Sequence, residues 1–137
     1  MAQRDDCPFD REELGRATWG LLHSMGARFP EKPSKKYQEK AKSFVQTLAL
    51  LYPCVHCAGD FQEEIKKSPP RTESRASLAM WLCEQHNIVN KKLDKPLFEC
   101  TMQNLDRRWR TGRADCWGEG ANPQSYIAES LGHDDDE

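Results

Sequence analysis

Cys54 and Cys57, separated by Val55 and His56 and preceded by Tyr52-Pro53, are the residues of this chain best suited to chemistry. Two thiols at this spacing can form a disulfide that opens and closes, or can share a metal ion. Pro53 predicts that the pair opens a helix, because its fixed φ and missing N–H suit a first turn. The partial positive charge of a helix N-terminus favours the thiolate, the species that attacks disulfides and binds metals. The motif by itself serves electron transfer and zinc coordination equally.

The elements that must position this pair read as helices, with strand signals almost absent. Asp10 and Glu13 have capping-box spacing, and Phe9 is placed to staple Leu14. A first helix is expected to run to about Phe29, with Leu14, Ala17 or Thr18, Leu21, Met25 and Phe29 on its inner face. Ser34 caps a second, with Tyr37, Ala41, Phe44, Val45, Leu48 and Leu51 inward. A third starts at Pro53, carries the cysteine pair, and turns Phe61 and Ile65 inward until Ser68-Pro69-Pro70 stops it. A fourth spans about Ser74 to Leu93, with Leu78, Leu82, Val89 and Leu93 spaced for burial. A short fifth centres on Met102, Leu105 and Trp109. The expected fold is all-α, a four-helix bundle plus a short fifth helix. Residues 1–9 form an N-terminal arm carrying Cys7, and residues 10–117 the domain. Residues 118–137 form an acidic tail of low hydrophobicity, expected to be disordered.

Composition narrows the function. The 137 residues suit one domain, and a net charge of −2 supplies no basic surface for nucleic acid. No apolar run approaches the roughly 20 residues that cross a bilayer. The polar, acidic start lacks the apolar core of a secretory signal and the Arg-rich character of a matrix-targeting segment. Six cysteines are many for a chain of this size outside an oxidising compartment. A route other than secretion would reconcile the two observations.

Three readings of the cysteines compete. Cys54-x-x-Cys57 with Cys83-x-x-His86 matches a four-ligand zinc pattern. Against it, the intervening segment reads as helices with core faces of their own, so the domain needs no metal to fold. A thioredoxin-like site fits the residues between the cysteines but normally follows a strand, and here a helix precedes Cys54. Covalent haem attachment fails because Ala58, and not His, follows Cys57. The third reading is a flavin-linked dithiol. His86 and Asn90 lie four apart on one helix face with Asn87 beside them. Together with Trp19, His23 and Trp109 they supply flat apolar walls and polar edges. Any one of these residues alone would more simply be a core or surface residue.

The segments that carry this reading resemble the Erv/ALR family of FAD-dependent sulfhydryl oxidases. They are 10–19 (DREELGRATW), Leu22-His23, 52–57 (YPCVHC), 81–90 (WLCEQHNIVN) and Arg108-Trp109. The resemblance runs from about Cys7 to Cys116, and Asp6-Cys7-Pro8 is most similar to the family's short animal form.

The resemblance implies an FAD-linked thiol oxidase with FAD in the bundle and no metal. It places Cys57 against the flavin as the electron donor, with Cys54 exchanging with a substrate dithiol through a mixed disulfide. Electrons then pass to dioxygen, giving hydrogen peroxide, or to cytochrome c. Arg11, Gly15, Arg16, Trp19, His23, Tyr52, Cys57 and Cys83 are implied to surround the FAD. So are His86, Asn87, Val89, Asn90, Lys91, Lys95 and Trp109. Cys83 and Cys100 become a structural disulfide, worth about 3 kcal/mol in the chain-entropy picture. Cys7 and Cys116 become interchain links of a homodimer, with pairing within one chain, or either cysteine remaining free, as the alternatives. Longer relatives carry an extra shuttle CxxC that is not visible here, so either small thiols or a partner dithiol would reach Cys54 directly, or this chain is a core segment of something longer. The family's habit points to the mitochondrial intermembrane space, with cytosol or another oxidising compartment as alternatives. A zinc-stabilised helical adaptor and a non-catalytic, disulfide-stapled binding module are the competing functions.

Overall fold

A computed structural model describes residues 5–117; the first four residues of the arm and the acidic tail, residues 118–137, lie outside the described residues. Among the described residues there are five α-helices, no strand, and a 3-10 turn at Ala114–Cys116. The helices are α1 (Arg11–Ala27), α2 (Lys35–Leu51), α3 (Val55–Lys67), α4 (Arg75–Lys92) and α5 (Met102–Trp109). α1 packs on α4 and α5, α2 on α3, and α4 on α5.

Local chemistry sets the helix starts. Asp10 accepts from the Glu13 N–H at 2.8 Å, and the Glu13 carboxylate accepts from the Asp10 N–H at 3.1 Å, completing a capping box. Ser34, Ser74 and Thr101 cap α2, α4 and α5 through their hydroxyls. The third helix starts later than Pro53. Cys54 is the N-cap, its sulfur accepting from the Cys57 N–H at 3.4 Å and its carbonyl from the Ala58 N–H at 2.8 Å. Pro53 instead ends α2, because the residue before a proline is pushed out of the helical region. Tyr52 accordingly sits at φ −57°, ψ 126°.

The main core joins α1 to α4 through Leu22, Phe29, Val45, Ala49, Ile65, Leu78, Trp81 and Leu82. Trp81 is fully buried, and its indole N–H donates to the Ser68 carbonyl at 3.0 Å, so the ring carries no unmet polar group. Helices α1 and α4 approach closely at Gly26, where a Cβ would meet Leu82 Cδ1 at 2.9 Å and Ala79 Cα at 3.4 Å. Several faces differ from the expected ones. Leu21, Phe44, Leu51 and Leu93 are exposed, and so is Phe9, the expected staple. On α1 the buried line runs through Leu22, His23 and Gly26, one residue off the expected stripe. α1 thus carries a second apolar stripe beside the one the bundle uses.

The α4–α5 seam holds Ala79, Cys83 and Leu105 against Cys100, Met102 and Trp109. Arg75 locks it by donating to both Asp106 carboxylate oxygens at 2.6 and 3.1 Å, to Glu31 at 2.8 Å and to the Ala27 carbonyl at 3.1 Å. A bidentate, mostly buried pair of this kind fixes the angle of α5, and with it the position of Trp109.

Candidate active site

Cys54 and Cys57 form a disulfide with 5.3 Å between their Cα atoms. Cys57, on the first turn of α3, lines a cavity of about 1520 Å³; Cys54 does not. That volume exceeds the roughly 300–1,000 Å³ of a typical small-ligand site, so the cavity suits a large, elongated ligand.

Each wall comes from a helical spacing. From α1, Arg11, Gly15, Arg16, Trp19 and His23 face the cavity, the core of an i, i+4 series. The missing side chain at Gly15 leaves room beside the Tyr52 hydroxyl, which would stand 4.0 Å from a Cβ there. α3 adds Cys57 and Phe61, and α4 adds Cys83, His86, Val89 and Asn90. Lys95 and Trp109 complete the expected set. Asn87 and Lys91 do not line the cavity. Lys91 is exposed, and the Asn87 amide is turned to the backbone of Phe98.

Four rings stack across this space. Trp19 and His86 lie parallel with centroids 4.2 Å apart, and His23 stacks on Trp109 at 4.6 Å. His23 Nε2 and His86 Nδ1 are 2.8 Å apart, so one nitrogen donates and the other accepts. Burial, then the charges of His86 and Arg108, push His23 down to about 3. His86 is lowered by burial, then by Lys95 and Arg108. Both imidazoles are therefore neutral near pH 7. The Arg108 guanidinium lies 3.9 Å from the centroid of the Trp109 ring.

Residues missed as site residues have weak sequence signals. Phe61 follows Cys57 by one turn, which helical period could have shown, whereas Arg108 stands next to Trp109, a spacing that puts no pair on one face. Pro96, Leu97 and Phe98 also line the cavity, but they lie in a segment without periodicity.

The zinc arrangement does not assemble. Cys83 is bonded to Cys100, with Cα atoms 6.0 Å apart, and His86 faces His23. Among the described residues no three His, Cys, Asp or Glu side chains gather as a metal site. Cys7 and Cys116 are exposed free thiols, so they do not pair within this chain.

A disulfide on the wall of a large, ring-lined cavity agrees with the match of residues 16–110 to the Erv1/Alr family model. The chain belongs to the Erv1/Alr family. It is 42% identical over 109 residues to the FAD-linked sulfhydryl oxidase ERV1 of Oryza sativa, covering 80% of this chain and 54% of the relative. It is 44% identical over 105 residues to the mitochondrial FAD-linked sulfhydryl oxidase ERV1 of Saccharomyces cerevisiae, covering 77% of this chain and 54% of the relative. The chain thus spans about half the length of these curated Erv1/Alr relatives. The crystal structure of the yeast Erv1 core superposes with a TM-score of 0.76 at 41% identity, covering 81% of this chain and 92% of that one. The FAD binding domain of Erv1 from Saccharomyces cerevisiae gives 0.71 at 40% identity, covering 81% and 100%. These likenesses establish the helical bundle as the Erv1/Alr fold.

Proposed function

We propose that this chain is an FAD-linked thiol oxidase that forms disulfides in substrate dithiols through Cys54 and Cys57. The observation that carries this reading is the position of Cys57 on the wall of a cavity large enough for a dinucleotide. Trp19, His23, His86 and Trp109 offer the flat faces that ring systems need, and Val89 and Cys83 the apolar backing. Arg11, Arg16 and Lys95 offer cations to a pyrophosphate, and Lys91 stands exposed in the last turn of α4. Gly15 and Tyr52 leave the space beside α1 open, and Asn90 gives a polar edge. Bound there, FAD would supply a two-electron acceptor for the dithiol and pass the electrons to dioxygen, giving hydrogen peroxide, or to cytochrome c.

The chain's own part begins at Cys54. A substrate thiolate attacks its sulfur, the Cys54–Cys57 bond breaks, and Cys57 leaves as a thiolate favoured by the N-terminus of α3. The second substrate thiolate attacks the substrate sulfur of the mixed disulfide, releasing Cys54 and the product disulfide. Val55, beside Cys54, is 90% exposed, so this end of α3 is open to approach. Small thiols or a protein dithiol both fit that access. Two relatives are named mitochondrial, and a mitochondrial site, in the intermembrane space, suits a disulfide-bearing chain. No helix among the described residues is long and apolar enough to cross a membrane.

The test is a half-reaction. Purified chain carrying FAD is reduced with excess dithiothreitol without oxygen, then given oxygen or cytochrome c. Bleaching of the flavin band, its return, and stoichiometric peroxide or reduced cytochrome are expected. A flavin that is not reduced by dithiol would overturn the reading.

Assembly belongs to the same proposal. Cys7 of one subunit pairs with Cys116 of its partner, two such bonds satisfying two-fold symmetry. Both thiols are exposed. Exposed Leu21, Phe44 and Leu51 supply apolar surface for a non-covalent contact that the disulfides staple. Non-reducing electrophoresis should show a dimer that reductant collapses, and Cys7→Ala should remove the covalent link while sedimentation still reports a dimer. A wild type that never migrates as a dimer without reductant would refute the interchain pairing.

A further inference from the structure

The segment after α4 is tied to that helix at three successive levels. Cys83 is bonded to Cys100, Asn87 pairs with Phe98, and the Asn90 carbonyl accepts from the Lys95 N–H at 2.8 Å. Positions 83, 87 and 90 follow one face of α4, so residues 95–100 run back along the helix as a strap. Pro96, Leu97 and Phe98 of that strap line the cavity.

Asn87 makes the central tie. Its Nδ2 donates to the Phe98 carbonyl at 2.8 Å and its Oδ1 accepts from the Phe98 N–H at 2.9 Å. This two-point pairing fixes which end of the amide is oxygen, since a flipped amide would oppose both backbone groups. The second Nδ2 hydrogen faces Cys100 Sγ at 3.3 Å, and Oδ1 also accepts from Asn90 Nδ2 at 3.3 Å. A carboxamide has two donor hydrogens and two acceptor lone pairs. All four are engaged inside the protein, and Asn87 has nothing left to offer a ligand. Asn90, which does line the cavity, spends one amide hydrogen on Asn87 and keeps its oxygen.

We propose that Asn87 is a positioning residue that clasps the 95–100 strap to α4 and thereby builds the outer wall of the FAD cavity without touching the cofactor. The consequence for FAD rests on the cofactor reading above; the clasp itself does not. Losing two neutral hydrogen bonds should loosen the strap and weaken FAD binding by about tenfold. Turnover at saturating FAD should be restored, because the redox cysteines are untouched.

The test compares wild type, Asn87→Ala and Asn87→Asp in the full chain, with and without FAD. Hydrogen exchange at the Phe98 amide, FAD affinity from flavin fluorescence, and turnover at saturating FAD are measured. Asn87→Ala should accelerate Phe98 exchange by about tenfold and raise the FAD dissociation constant by a similar factor. Asn87→Asp keeps the shape and the acceptor for the Phe98 N–H, so it reads the clasp if the alanine variant does not fold. In it the carboxylate oxygen that replaces Nδ2 opposes the Phe98 carbonyl, so Phe98 exchange should still accelerate and FAD affinity fall, and unchanged exchange would overturn the clasp there too. Unchanged Phe98 exchange in Asn87→Ala would overturn the clasp. Weakened FAD binding with Phe98 protection intact in Asn87→Ala would instead make Asn87 a direct ligand. A wild type that takes up no FAD defeats the cofactor reading, while Phe98 exchange still decides the clasp.

Discussion

Cys57→Ser is expected to reduce dithiol oxidation by about three orders of magnitude or more while FAD remains bound, the effect of deleting an essential reacting atom. The serine hydroxyl is nearly isosteric and keeps the start of α3, whose cap is Cys54, so neither the fold nor the ring walls should change. Flavin content after gel filtration and oxygen uptake with dithiothreitol are the two readouts. The variant leaves Cys54 as a free thiol, so a thiol-reactive maleimide should label it after mild denaturation. Wild-type turnover in Cys57→Ser would remove Cys57 from the electron path. Loss of both flavin and activity would make Cys57 chiefly an anchor of the cofactor.

The second large effect is on stability against pH. His23 titrates at about 3 in the fold against about 6.5 in an unfolded chain, chiefly because it is buried and then because His86 and Arg108 are near. Between those values the unfolded chain holds a proton that the folded chain does not, so stability rises with pH through this window. The full contribution is present above about pH 6.5 and is lost as pH falls toward 3. At about 1.4 kcal/mol per pH unit the upper limit is roughly 5 kcal/mol, comparable with the whole stability of a small domain. His86 is lowered too and acts in the same direction. Urea unfolding of the FAD-free chain at about pH 7 and about pH 4.5 should show a loss of roughly 3 kcal/mol from this source. His23→Phe keeps a ring between Trp109 and His86 and should flatten that slope. The remaining titrating groups are shared by both proteins, so the difference isolates His23. Equal slopes in wild type and variant would show that His23 does not titrate as the buried geometry requires.

Much of the working surface was legible in the residues alone. Trp19 and His23 are four apart, as are His86 and Asn90, so helical period alone puts each pair on one face. Asp10 with Glu13, Ser34 and Ser74 announced helix starts because capping is a contact within four residues. The cysteine pair was readable as the start of α3 for the same local reason, although which residue caps it was not. Pro53 and Cys54 both suit that place, and the choice fell to the sulfur that reaches the Cys57 N–H.

What tertiary structure decided lies between elements. Periodicity defines a stripe on a helix but not the neighbour that covers it, so α1, with apolar residues on two adjacent lines, buried Leu22 and left Leu21 exposed. His23 and His86 are 63 residues apart in sequence, and only the packing of α1 on α4 brings their nitrogens to 2.8 Å. Asn87 and Asn90 look equivalent in sequence, on one side of one helix. The return of the chain along α4 spends every hydrogen-bonding group of the first on Phe98, Cys100 and Asn90, and leaves the second at the cavity. Residue types and spacing thus determined what chemistry this chain can do and on which helices it stands. Only long-range packing decided which side chains meet, because those contacts depend on the path of the chain between helices and not on the period within them.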